Sequence, residues 1–281
     1  MSEPITDWND AYANGAHIPN AEQYIPRWTQ QAAAFRLRMS DLGRADLGVS
    51  YGSGERHWFD AFWPEGAACG VAVFVHGGYW KAFDARTWSH LAQGALDRGW
   101  VVALPSYTLA PQARLSAITR EIAQALEAIA AQFAGPIALA GHSAGGHLVS
   151  RMVCSHAPLA ALTQKRIRRV LSISGVHDLR PLMRTDMNTV LQIDAAEACA
   201  ESPALLTPAL DARLCAWVGA MERPEFIRQN DLLANVWRGL GMDTEAVHQP
   251  DRHHFNVIDD LAHPRSAMVE RWLGHAAPAL Q

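Results

Sequence analysis

Residues 141–145 read Gly141-His142-Ser143-Ala144-Gly145, directly after the apolar run Pro136-Ile137-Ala138-Leu139-Ala140 and directly before a helix-compatible stretch. Chance alone supplies a G-x-S-x-G pentapeptide in roughly one chain of this length in ten, so position carries the argument. Glycines two before and two after a serine permit a sharp strand-to-helix turn. Such a turn holds the hydroxyl at the tip of a sheet, among neighbours small enough to admit a substrate. The alternative is a glycine-rich connection with an ordinary serine N-cap. Ser143 is therefore a candidate nucleophile, and the rest of the chain weighs on the choice.

On either side of this turn, short β-rich runs alternate with helical patterns. Strands are expected at 46–51, 56–62, 71–76, 100–104, 136–140, 169–174, 213–219 and 244–248. After residue 70 the runs are apolar at consecutive positions, the pattern of strands buried on both faces. Helices are expected at 85–98, 144–155, 224–238 and 264–276, and at 116–134. In the last, Ile118, Ile122, Leu126, Ile129 and Phe133 fall on one face and Ser116 is available as a cap. Crossovers of this kind give an eight-stranded, mostly parallel α/β sheet covered by helices on both faces, with ligands at the carboxyl ends of the strands. Residues 1–45, with Trp8, Tyr12, Tyr24, Trp28 and Phe35, read as an arm packed on a single domain over 46–281. Residues 175–210 are long for a connection and are expected to form a small cap over the site.

A serine hydroxyl needs a base, a group orienting that base, and donors for an oxyanion. The loop after the third strand, His76-Gly77-Gly78-Tyr79-Trp80, exposes backbone amides at Gly77, Gly78 and Tyr79 that could act together with the amide of Ala144. The other reading of Gly77-Gly78 is a plain tight turn, with His76 organising it. The partners are expected in the chain order serine, acid, histidine. Glu222 follows the seventh strand, with Asp178, Asp211 and Glu225 as rivals. The run Asp251-Arg252-His253-His254-Phe255 follows the eighth. His254 is favoured over His253 because it begins the apolar run Phe255, Val257, Ile258 that would anchor it.

Composition sets the outer bounds. The 281 residues are 49% hydrophobic and 19% charged with a net charge of -4, which gives no case for nucleic acid or an anionic membrane. Lys165-Arg166-Ile167-Arg168-Arg169 reads as the solvated approach to a strand. Cys69, Cys154, Cys199 and Cys215 lack metal-ligand spacing and are expected to be reduced, mostly buried thiols. The stretch Met1 to Trp8 lacks the basic start and apolar core of a secretory signal, and no apolar run is long enough to span a bilayer. A cytoplasmic monomer or homodimer is expected, with no cofactor and no metal.

With these residues in place the chain resembles the α/β-hydrolase-fold arylformamidases, or kynurenine formamidases, and their bacterial esterase-like relatives. The similar stretches are His76 to Trp80, Ser106-Tyr107-Thr108-Leu109-Ala110-Pro111, Gly141 to Leu148, Ser174-Gly175-Val176-His177-Asp178-Leu179-Arg180-Pro181, Glu201-Ser202-Pro203, Val218 to Phe226 and Asp251 to Phe255. They span most of residues 23–260. The resemblance places nucleophile, acid and base on Ser143, Glu222 and His254. The animal members carry Asp where this chain has Glu222. It also implies a small N-formyl arylamine such as N-formylkynurenine as substrate, with Tyr79, Trp80, His142 and Tyr107 against it. A small-acyl carboxylesterase or thioesterase is the alternative. A silent scaffold that binds a ligand or a protein partner is a remoter one.

Overall fold

The computed structural model describes residues 4–274. Eight strands form one sheet: β1 (Ala45–Ser50), β2 (Trp58–Phe62), β3 (Val71–Val75), β4 (Val101–Pro105), β5 (Ile137–His142), β6 (Ile167–Ile173), β7 (Arg213–Gly219) and β8 (Thr244–Gln249). Their order is β1-β2-β4-β3-β5-β6-β7-β8. β2 runs antiparallel to β1 and β4, and the pairs from β4 to β8 are parallel. β3, β4 and β5 are buried at every position, as expected of strands covered on both faces. Two apolar layers flank the sheet. One contains Ile118, Ile122, Leu126 and Ile129 of the helix Leu115–Gln132, and the other contains Trp28, Phe35 and Met39 of the helix Tyr24–Asp41.

The helices depart from expectation where side chains from distant segments intervene. Leu115–Gln132 begins after Arg114 with no side-chain cap, so Ser116 does not cap it. The Ser116 amide instead donates to Glu197 Oε1 at 3.0 Å, which places a carboxylate at the positive end of the helix. The helix expected at 85–98 is broken into Ala85–Thr87, Ser89–Ala92 and Gln93–Leu96. In the last piece, a Cβ at Gly94 would stand 2.3 Å from the Leu261 carbonyl oxygen, so backbone packs directly on backbone there. The helix expected at 144–155 ends at Arg151, and that at 224–238 is Pro224–Gly239. The last, expected at 264–276, is Ala267–Leu273. Positions 275–276, the last seven residues of the domain expected over 46–281, and Met1-Ser2-Glu3 lie outside the described residues.

Arg166 is not simply solvated, because it donates to the carbonyls of Ala130 in the last turn of Leu115–Gln132 and of Phe133 and Gly135 beyond its end. Cys154 and Cys215 are buried, whereas Cys69 and Cys199 are exposed. The inward face of Ala195–Glu201 is taken by Glu197, Ala198 and Glu201, which leaves Cys199 outward. Within 175–210, Glu201 binds Thr119 at 2.7 Å and Arg151 at 2.9 Å, so this segment rests on the helix Leu115–Gln132.

Candidate active site

Ser143 stands between β5 and the helix Ala144–Arg151 with φ 55° and ψ −116°, a backbone conformation rare for a residue with a side chain. The flanking glycines make it attainable. A Cβ at Gly141 would lie 2.2 Å from the Gly145 carbonyl oxygen, and one at Gly145 would lie 2.0 Å from that of Val75. Although Ser143 occupies the N-cap position, its hydroxyl makes no capping hydrogen bond. The pentapeptide therefore shapes a turn, and the hydroxyl is not consumed by the helix.

Glu222 follows β7 and is buried. Its Oε1 accepts from the Gly219 amide at 2.9 Å and the Ser174 hydroxyl at 2.5 Å, and its Oε2 pairs with His254 Nδ1 at 2.6 Å. A carboxylate can only accept, so Nδ1 carries the proton and Nε2 is left as the basic nitrogen. The imidazole is held on two further sides, by Phe226 with ring centroids 4.6 Å apart and by His142 at 4.6 Å. His142 Nε2 donates to the His254 carbonyl at 2.9 Å. Burial and the nearby His254 hold the His142 pKa well below the usual imidazole value, so this neighbour stays neutral when His254 gains a proton.

The rival groups are engaged elsewhere. Asp178 forms two 2.9 Å bonds to Arg180, Glu225 binds Tyr12, Arg228 and Gln229, and Asp211 is exposed. His253 Nε2 meets the Tyr24 hydroxyl at 3.0 Å and so fastens the helix Tyr24–Asp41 to the histidine loop. Ser174, absent from the sequence-based candidates, sits just beyond the carboxyl end of β6 with φ 52°. Only the fold brings its hydroxyl to Glu222.

The loop His76 to Trp80 leaves β3 with left-handed backbone at Gly78 (φ 111°), Tyr79 (φ 49°) and Trp80 (φ 55°). A Cβ at Gly77 would lie 2.8 Å from the His142 carbonyl oxygen and 3.0 Å from Ser143 Cβ, which puts this loop directly against the serine. Among the described residues no acceptor takes the amides of Gly77, Gly78, Tyr79 or Ala144. His76 supports the loop from beneath, stacked on Tyr107 at 4.3 Å with Nδ1 donating to the Gly77 carbonyl. Burial lowers its pKa to about 4. The Tyr79 phenol, raised by burial, remains a donor and binds the Tyr12 carbonyl at 2.6 Å.

Ser143 and His254 open on one cavity of about 290 Å³. Six aromatic residues stand in its walls: Tyr12, Trp28, Tyr79, Phe83, Trp88 and Phe255. Of the sequence-based wall candidates, Tyr79 and His142 are present and Trp80 and Tyr107 are not. Both of these are fully buried, Trp80 with its edge on His147 at 5.1 Å and Tyr107 under His76. Residues 12–16 and the helix Tyr24–Asp41 supply one side of the wall, and among the described residues 175–210 supply none. The aromatic run at 8–28 was the only sequence signal for this side. Nothing in the chain marked Phe83 or Trp88. Among the described residues no group of three His, Cys, Asp or Glu is placed to hold a metal ion, and no helix is long and apolar enough to cross a membrane.

Comparison with known proteins agrees with this architecture. A family model described as the alpha/beta hydrolase fold matches residues 72–243. The kynurenine formamidase of Salmo salar is 27% identical over 258 residues, covering 88% of this chain and 87% of the relative. That of Danio rerio is 25% identical over 280 residues, covering 92% and 94%. A solved protein of a Silicibacter species, described as a proposed thioesterase, is 50% identical with a TM-score of 0.90, over 95% of this chain and 98% of that one. An esterase of Pyrobaculum calidifontis, 16% identical with a TM-score of 0.67 over 95% and 96% of the two chains, shares the fold.

Proposed function

This chain belongs to the alpha/beta hydrolase fold family, as an enzyme acting on amide or ester bonds, and from that premise we propose a serine acyl-transfer mechanism on a small aromatic substrate. The observation that carries it is the 2.6 Å pair of Glu222 and His254, whose histidine lines the same cavity as Ser143, a serine with its hydroxyl free of any capping bond. His254 Nε2 accepts the Ser143 proton as the hydroxyl attacks the carbonyl. Glu222 holds Nδ1–H and stabilises the imidazolium. The oxyanion is taken by the Ala144 amide and the amides of Gly77, Gly78 and Tyr79, which have no other acceptor to give up. His254 protonates the departing amine or alcohol, and water repeats the cycle on the acyl-enzyme. In this account residues 46–281 are the hydrolase domain, residues 1–45 are an arm that completes the cavity, and the working unit is a monomer or homodimer.

The relatives' activity makes arylformamide hydrolysis the first substrate reading. One observation favours a second, an esterase for uncharged aryl esters: among the described residues no Asp, Glu, Lys or Arg lines the cavity. The zwitterionic end of N-formylkynurenine would find no counter-charge inside. Comparing kcat/KM for N-formylkynurenine, formanilide, p-nitrophenyl acetate and p-nitrophenyl butyrate tests both readings. Formylkynurenine far below the uncharged substrates removes the first, and turnover of none of the four removes the function.

A further inference from the structure

The acyl-transfer steps use Ser143, His254, Glu222 and backbone amides, and leave several polar side chains of the cavity wall without a task, the Asn14 amide among them. Asn14 is 5% exposed and lines the cavity, and its Oδ1 has no hydrogen-bond partner among the described residues. The orientation of its amide follows from the neighbouring bonds. Tyr79 spends its hydroxyl proton on the Tyr12 carbonyl at 2.6 Å, so toward Asn14 it can only accept. It does so from Nδ2 at 3.3 Å. The oxygen of Asn14 is therefore the end without a partner, and a buried acceptor left so is a standing cost that a ligand bearing a donor removes.

Other wall residues also carry unpaired polar atoms, Nε1 of Trp28 and Trp88 and Nδ1 of His142. The two indole groups are donors, and every acyl substrate already brings acceptors to them, so they discriminate little. His142 Nδ1 lies beside the backbone of Gly77 and belongs to the catalytic loops. A donor on the substrate is the feature that some acyl compounds have and others lack. It is the feature Asn14 reads.

We propose that Asn14 is a specificity-determining residue whose Oδ1 accepts a hydrogen bond from an uncharged N–H or O–H on the aromatic body of the substrate. The donor is uncharged because among the described residues no carboxylate lines the cavity to receive an ammonium. It lies away from the scissile bond because Asn14 meets the hydroxyl tip of Tyr79, whereas the oxyanion is assigned to the backbone end of that residue. This inference rests on the cavity being the substrate site of the proposed hydrolase.

The test uses phenyl acetates carrying an amino or a methyl group at the ortho, meta or para position. The two groups are close in size and differ in having a donor. The amino-to-methyl ratio of kcat/KM is measured for the wild type, Asn14→Leu and the smaller Asn14→Ala, which guards against a variant that does not fold. Affinity for the same six compounds is measured in Ser143→Ala, with and without the Asn14 substitution, by quenching of tryptophan fluorescence. The expected result is an amino preference at one ring position that falls by about tenfold or more when Asn14 is replaced, in turnover and in binding. A preference seen in binding without turnover in the wild type would uphold Asn14 while removing the hydrolase reading. Ratios that stay the same in wild type and variants at all three positions overturn the inference. So does an equal loss for amino and methyl partners, which would mark Asn14 as structural only.

Discussion

Ser174 supports the acid of the proposed triad without being one of its three members. Glu222 Oε1 takes two donors, and the Ser174 hydroxyl at 2.5 Å is one of them. Removing it in Ser174→Ala leaves the carboxylate pointing less firmly at His254, and kcat is expected to fall about tenfold with KM little changed. Glu222→Gln, which forces the wrong tautomer on His254, is expected to cost about 10³ to 10⁴ in kcat. Asp178→Asn, beside Arg180, should stay near wild type. Loss of turnover in Asp178→Asn with Glu222→Gln active would place the acid elsewhere. At this scale the chain itself pointed to Ser143, Glu222 and His254, because a nucleophile turn and two loops carry their residue types in a fixed order. Ser174 and Asn14 left no such trace. Their partners are 48 and 65 residues away along the chain, and only folding joins them.

The helix Tyr24–Asp41 is an outer element that behaves like core. Trp28 is 2% exposed and packs on Trp88 at 4.7 Å and Phe255 at 5.4 Å, so one side chain joins the arm, the segment after β3 and the histidine loop. Trp28→Ala is expected to cost about 3–5 kcal/mol of stability. The same truncation widens the cavity, so KM for small aryl esters should rise more than kcat falls. A thermal midpoint unchanged from wild type would contradict this packing. The long regular elements were legible from their periodicity, as Ile118, Ile122, Leu126 and Ile129 show for Leu115–Gln132. The broken stretch after residue 84 was not, because it packs on a distant segment, the Leu261 backbone against Gly94, that periodicity does not reveal. The arm read as something packed on the domain. Its share in the wall depends on Tyr12 and Asn14 reaching Tyr79, a contact that carries no periodic signal.

Across the whole molecule, buried imidazoles tie stability to pH, His76, His147 and His177 among them. Burial lowers His76 and His147 to about 4 and His177 to about 3. In the unfolded chain each takes up a proton near its ordinary value of about 6.5, whereas the folded chain refuses it until far lower pH. The unfolded state therefore binds more protons across this window, and stability rises with pH. Stability present at pH 7 is expected to drain away as pH falls from about 6.5 toward 4, by on the order of 2 kcal/mol per site at pH 5. Urea midpoints at pH 7, 6 and 5 check the sign, and a midpoint that holds or rises on acidification would refute it. The same sheet gathers the serine turn, the Gly77-Gly78 loop, Ser174 and the loops of Glu222 and His254 at one end of β3, β5, β6, β7 and β8. The most direct test of that convergence is a fluorophosphonate probe read by intact mass and peptide mapping. Wild type should gain one phosphonyl group on Ser143, more slowly with phenyl acetate present, and Ser143→Ala should gain none. A wild-type protein that stays unmodified, or a Ser143→Ala protein that labels as fast, would contradict Ser143 as the nucleophile.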